Sequence, residues 1–223
     1  SYYVPHRMSQ VRARLYAVRN MAIDTTRYIA FEGAEGAGKS TVAEAVAEHL
    51  RSKGEAVITV REPGGTPVGE AVREILLAGE LHPEPRAEAA LFAAARAQLV
   101  AEVVGPALER GEWVLSDRTA YSSLAYQAGG RGIPHDDVFT INDLALGSVW
   151  PSAVVLLRVS ADRGLGRQSD ADRIGAEAKE FHDRVIATFD KLAAEDPDRF
   201  IVVDAEKPLD EVISDVVSAL EAR

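Results

Sequence analysis

The sequence predicts an α/β fold: a parallel sheet of about five strands with helices on both faces. Three observations predict it. Short β-branched or apolar runs at Tyr28–Phe31, Ala56–Val60, Trp113–Ser116, Ala153–Val159 and Phe200–Val203 alternate with stretches of helical spacing. The run Val154-Val155-Leu156-Leu157 is continuously apolar, which suits a parallel strand covered on both faces. The first three runs end in charged or glycine-rich turns, and in such sheets the loops at the carboxyl ends of strands line the ligand crevice.

Taken in order, Ser1 to Thr26 differs from the rest. Arg7, Arg12, Arg14 and Arg19 precede the first acidic residue, Asp24. From Met8 to Met21, Val11, Leu15, Val18 and Met21 share one stripe of a basic helix, a pattern that targeting peptides and membrane-surface helices also use. Composition favours a disordered or loosely docked extension over residues 1–26, with Met21 as an alternative start, followed by a single domain over 27–223.

The first strand leads into Gly33-Ala34-Glu35-Gly36-Ala37-Gly38-Lys39-Ser40, which fits the phosphate-loop pattern G-x-x-x-x-G-K-[ST], and Ser40 to Leu50 continues as a helix. Glycines let consecutive backbone N–H groups curl around an anion, and the helix adds the positive end of its dipole. Lys39 reaches the β- and γ-phosphates, Ser40 ligates Mg²⁺, and Thr41 completes the triphosphate-binding segment, which by itself says ATP or GTP. The fold class is therefore a P-loop NTPase.

The second strand delivers Arg61-Glu62 into the turn Pro63-Gly64-Gly65-Thr66, and a helix follows from about Val68 to Leu77. Pro83 to Gly105 is an Ala-rich helix on which Phe92 and Arg96, at i and i+4, share a face. The third strand ends in Asp117-Arg118, where an aspartate supplies a carboxylate for metal or its waters. Ala120 to Gln127 is helical, with Ser123 and Gln127 at i and i+4 and Tyr126 beside them, until Gly129-Gly130-Arg131-Gly132 breaks it. Asp136–Gly147, Glu177–Ala194 and Leu209–Leu220 read as further helices, and Arg163–Arg173 is glycine-rich and charged.

A net charge of −10 argues against a general nucleic-acid binder. The lack of cysteine excludes disulfides, thiolate metal sites and a cysteine nucleophile, and is compatible with the cytoplasm. His49, His82, His135 and His182 read as surface or capping residues, and no apolar run approaches the ~20 residues that span a bilayer.

Several separate motifs resemble the bacterial thymidylate kinases, over nearly all of Tyr28 to Leu220. They are Phe31-Glu32-Gly33 into the loop, Arg61 to Thr66, Phe92 to Gln98, Asp117-Arg118, Ser122 to Gln127 and Asp172-Arg173-Ile174. The resemblance implies transfer of the ATP γ-phosphoryl group to dTMP, giving dTDP, with Mg²⁺ and as a homodimer. It also implies roles. Arg73 and Arg96 approach the acceptor phosphate, Arg118 the transferred group, and Glu62 the acceptor phosphate and metal. Glu35 lies near sugar and metal, with Asp117 and Ser40 on the metal side. Phe92 stacks on the base, Ser123 and Gln127 read the thymine edge, and Tyr126 fills the space of a 2′-hydroxyl.

The chain departs from the family at the lid, at about 163–176. Gly36 stands where other members carry a loop arginine, yet Gln168-Ser169-Asp170-Ala171 holds no arginine either, and Gly175 replaces a common acidic residue. Arg167 or Arg173 is then the expected charge clamp on the transferred group. Rival readings are a kinase of another nucleoside monophosphate or of a deoxynucleoside, and a nucleotide-binding regulator.

Overall fold

Every expected strand forms, and all pair in parallel. The strands are β1 (Tyr28–Glu32), β2 (Val57–Arg61), β3 (Trp113–Asp117), β4 (Ala153–Arg158) and β5 (Phe200–Asp204), in the order β2-β3-β1-β4-β5. The computed structural model describes residues 23–78, 80–167 and 172–223. The basic stripe of Met8 to Met21 and the lid residues Gln168–Ala171 lie outside them.

β1 is central and buried along its whole length. Ile29 and Phe31 point to one face, where they meet Val42 and Val46 of α1 (Lys39–Ser52) and, after β5, Val212 and Val216 of α8 (Leu209–Glu221). Ala30 points to the other, toward the π-helical segment Leu124–Gly130 and α7 (Lys179–Glu195), which contribute Leu124, Tyr126, Val185 and Phe189. Burying one such apolar side chain contributes roughly 1.5–3 kcal/mol, so the two-sided core favours a central strand that is apolar on both faces.

Between the strands run α2 (Pro67–Leu77), α3 (Pro85–Glu109), α4 (Ala120–Ser123), α5 (His135–Leu146) and α6 (Ala161–Gly166). Thr66 caps α2 by accepting from Gly69 N at 2.9 Å. Inside α3 the segment Val100–Val104 winds as a π-helix. Pro106 explains it: proline has no N–H to donate back along the helix, and the turn before it widens. A second π-helical turn, Leu124–Gly130, extends α4, so Gly129 and Gly130 lie inside the helical path instead of ending it.

Four details add to or alter the expected picture. α6 forms within the glycine-rich charged stretch, because Gly164 and Gly166 lower helix propensity without abolishing it. Ile23, ahead of the boundary expected at 27, packs against the cluster of Tyr28, Leu99 and Leu146. α3 is, among the described residues, one helix long and apolar enough to cross a membrane by length and composition; its fully buried Glu88 and Arg96, both ion-paired within the fold, make it a core helix. His182 is 1% exposed and packs edge-on against Phe181, so it is neither a surface nor a capping residue.

At the carboxyl end of β1, the fully buried Glu32 carboxylate accepts from Thr119 N (2.7 Å), Thr119 Oγ1 (2.8 Å), Ser122 N (3.2 Å) and Ser122 Oγ (2.6 Å). Glu32→Ala leaves the buried Thr119 N–H and the Thr119 hydroxyl without a partner, each worth about 1–3 kcal/mol, while Ser122 N–H keeps the Thr119 carbonyl at 3.1 Å. The variant is expected to lose roughly 2–6 kcal/mol of stability, read from the urea midpoint at unchanged m-value.

Candidate active site

The phosphate loop joins β1 to α1, and its backbone requires glycine at Gly36. There φ is 68°, and an added Cβ would lie 2.0 Å from the Gly164 carbonyl oxygen of α6. Any larger side chain, arginine included, would have to push α6 away. Lys39 folds under the loop, with Nζ donating to the Gly33 (3.1 Å) and Ala34 (2.8 Å) carbonyls. Burial, aided by Arg118, lowers its pKa to about 8 against the opposing pull of Glu35 and Asp117.

β3 pairs with both β1 and β2, setting Asp117 opposite Phe31 and Arg61. This register brings Asp117 to the loop, where its carboxylate accepts from the Ser40 hydroxyl. Hydroxyl and carboxylate oxygens of this kind suit a hard cation that keeps waters and phosphate oxygens as its other ligands.

Arg118 turns the chain at φ 73°, a left-handed conformation uncommon outside glycine. The turn brings its guanidinium back over the loop. Nη2 lies 2.5 Å from Glu35 Oε1, Nη1 donates to Gly33 O (3.3 Å) and Ser122 Oγ (3.1 Å), and the group sits 5.0 Å above the Tyr126 ring. Tyr126 donates its hydroxyl to the same Glu35 oxygen at 3.1 Å. Burial works to raise the Glu35 pKa, but Arg118 and Lys39 bring it down to about 2, so Glu35 is a fixed anion.

Across a cavity of about 370 Å³ stand Glu62, Arg73, Phe92, Ser123, Tyr126 and Gln127. Arg73 donates to the Pro63 carbonyl at 2.9 Å. Arg96 lies behind this wall and does not line the cavity. Its Nε is 2.6 Å from Glu62 Oε2, with both side chains buried, in an ion pair that is not aligned as a hydrogen bond. Arg96 also donates to Ser123 Oγ (3.1 Å) and to Asn142 Oδ1. Burial pushes Glu62 up to about 7 although Arg96 opposes it.

The structure therefore gathers Glu35, Gly36, Gly38, Lys39, Ser40, Thr41, Glu62, Arg73, Phe92, Asp117, Arg118, Ser123, Tyr126 and Gln127 around one cavity. Gly33 and the buried Ala34 and Ala37 support the loop from beneath. Glu35 is held on Arg118 and Tyr126, not on the Ser40–Asp117 pair. Arg167 donates to the Gly36 (3.3 Å) and Ala205 (3.1 Å) carbonyls, next to the loop. Arg173 instead reaches Leu76 O (2.7 Å) and Glu88 on the far wall. Glu88 and Arg131 gave no signal in the sequence, because they meet across 43 residues and Glu88 meets Gln127 across 39; Glu32 stood in a motif, but not its partners Thr119 and Ser122.

An open parallel sheet with a phosphate loop at its switch strand, beside a cavity that Arg61, Arg73 and Arg118 line, has the make-up of a P-loop phosphotransferase. The thymidylate kinase family model matches residues 31–216. The chain is 47% identical over 196 residues to the thymidylate kinase of Thermomicrobium roseum, covering 86% of this chain and 92% of that one. It is 44% identical to that of Leuconostoc mesenteroides over 195 residues, covering 84% and 92%. The crystal structure of thymidylate kinase from Ehrlichia chaffeensis superposes with a TM-score of 0.74 at 28% identity, covering 88% of this chain and 98% of that one. The chain belongs to the thymidylate kinase family and is an ATP-using nucleotide kinase.

The Lys39 pKa of about 8 has a measurable consequence. Triphosphate oxygens beside the ammonium favour its charged form, so bound Lys39 holds a proton that free Lys39 loses above about pH 8. ATP binding is expected to take up a proton above that pH and to weaken as pH rises. Calorimetry in two buffers of different ionisation enthalpy measures the uptake, and Lys39→Met abolishes it.

Proposed function

We propose that this chain transfers the γ-phosphoryl group of ATP to the 5′-phosphate of dTMP, giving dTDP, with Mg²⁺. The observation that carries the reading is the single cavity that joins the phosphate loop to an aromatic and polar base wall, with Arg73 and Arg118 between them. Phosphoryl transfer asks chiefly for two anionic groups held in line with their charge neutralised. Loop N–H groups and Lys39 hold the donor phosphates. Arg118 faces the region of the transferred group, and Arg73 the acceptor phosphate. Ser40 and Asp117 would hold Mg²⁺, which would supply positive charge against the donor phosphates.

Glu62 and Arg96 act as a buried unit in this reading: Arg96 keeps Glu62 and Ser123 in place and reaches the acceptor through them. Phe92 supplies the stacking face, Ser123 and Gln127 the edge contacts, and Tyr126 the steric block at the sugar. No general base is required, since a phosphate monoester is largely ionised near neutral pH. A homodimer acting in the cytoplasm, without nucleic-acid or membrane partners, completes the reading. Net charge and the absence of cysteine support it.

Coupled ADP release with ATP, Mg²⁺ and dTMP, dUMP, dGMP, AMP or thymidine is expected to be fastest with dTMP. Preference for thymidine would sink the monophosphate reading, and no turnover with any acceptor would favour the regulator.

Between the two lid arginines, the contact with Gly36 supports Arg167 as the clamp. Arg167→Ala is expected to lower kcat by on the order of 10³, the loss typical of a missing phosphoryl clamp. Arg173→Ala is expected to act mainly on the KM for dTMP. Wild-type kcat in Arg167→Ala would remove it from that role.

A further inference from the structure

One carboxylate with no role so far stands at the centre of the base-side wall. Glu88 lies on α3 one turn before Phe92 and is 1% exposed. Its Oε1 accepts from Gln127 Nε2 at 3.0 Å and Arg131 Nε at 3.2 Å. Its Oε2 accepts from Arg131 Nη2 at 3.2 Å and Arg173 Nη2 at 2.5 Å. These donors fill the acceptor directions that a carboxylate offers.

The partners are themselves fixed, so the carboxylate has no freedom to turn away. Arg131 also binds Glu177 and lies 4.7 Å over the Phe181 ring, and Arg173 is tied to the Leu76 carbonyl. Burial raises the Glu88 pKa, but hydrogen bonds from Arg131, Arg173 and Gln127 outweigh it and leave the group below its ordinary value. An ionised carboxylate only accepts hydrogen bonds. The part of Gln127 that faces Glu88 is therefore the amide nitrogen. Its oxygen is left for the cavity that Gln127 lines, and no described residue donates to that oxygen.

We propose that Glu88 is the positioning residue for acceptor choice: by holding Gln127 Nε2 it presents Gln127 Oε1 to the base. The site then takes a pyrimidine nucleotide whose ring N3 carries a hydrogen, over one whose N3 is a bare lone pair. Thymine and uracil are of the first kind and cytosine of the second. A cytosine in this pocket would set two acceptors against each other where water is excluded, and sites built to pair a substrate N–H discriminate strongly against analogues that lack it. This inference deepens the dTMP reading and rests on it.

The test compares wild type, Glu88→Gln and Glu88→Asp by the KM for dTMP and the inhibition constant of dCMP against dTMP. In Glu88→Gln the new amide can turn its own NH2 toward Gln127, which then flips and offers nitrogen to the base. The ratio of the dCMP inhibition constant to the dTMP KM is expected to fall at least about tenfold, with the KM for ATP unchanged. Glu88→Asp, still acceptor-only, keeps the ratio even where it loses activity. Equal weakening toward both nucleotides in Glu88→Gln would mean a packing role and overturn the proposal.

If Glu88→Gln does not fold, side-chain amide NMR of the wild type decides. The Gln127 Nε2 protons are expected to be protected without nucleotide and little changed by dTMP. Protection that appears only with dTMP would overturn the proposal. Wild type inactive on dTMP, with those protons protected, would remove the substrate reading while leaving the Glu88–Gln127 contact standing.

Discussion

The carboxylate of Glu32, closed off from water at the end of the central strand, is the constraint on which the site depends. It accepts from the backbone and hydroxyl of both Thr119 and Ser122, and so ties the strand that launches the phosphate loop to the corner where β3 gives way to α4. Burial pushes its pKa up, and the hydrogen bonds from Ser122 and Thr119 together with Arg118 oppose that push. Arg118 sits inside the corner that Glu32 fixes. Its left-handed turn is held by Ser116, whose hydroxyl donates to the Arg118 carbonyl at 2.7 Å, and by its own N–H on the Phe31 carbonyl at 3.0 Å. A strained residue persists only where its surroundings determine it many times over. Loop, Asp117 and Arg118 are thus tied together at the sheet's switch point.

Arginine–carboxylate pairing recurs around that point, and burial decides what each pair does. Arg61–Glu70 is about half exposed on both sides and is worth little to stability, the usual result for surface pairs. Arg96–Glu62 is almost wholly excluded from water, where removing one partner strands a charge. Arg118–Glu35 lies between these extremes at the cavity edge. A phosphate entering the cavity meets guanidiniums already oriented by a carboxylate, so little side-chain ordering remains to be done on binding. Glu88, with two guanidiniums on one carboxylate, extends the same device to the base wall.

What was legible in the sequence was local. Strand, glycine loop and helix follow one another within 33–50, so composition and spacing suffice to read the phosphate site. Asp117 and Arg118 were legible because a charged pair directly follows a buried strand. The buried partners were not: Glu88 meets Gln127 across 39 residues and Arg173 across 85. On a helix diagram Glu88 is one more acidic residue of an Ala-rich stretch. His182 misleads for the same reason, since one helix turn does not reveal which face meets the π-helical Leu124–Gly130 and the sheet beyond it. The lid helix α6 was lost to its own glycines, which lower propensity but also permit its approach to the loop.

That approach changes the meaning of Gly36. In the sequence it marks a missing arginine; in the fold it marks contact, since Gly36 and Gly164 meet with no room for a Cβ on either, the one added at Gly164 falling 2.3 Å from the Glu35 carbonyl. A loop arginine and a helix lying on the loop are mutually exclusive solutions to the same problem. By accepting α6, this chain sets Arg167, at the helix end, against the Gly36 carbonyl. A cation at the carboxyl end of a helix is also favoured by the helix dipole, although one as short as α6 contributes little. A guanidinium thus faces the loop from the lid side, although the loop itself carries no arginine.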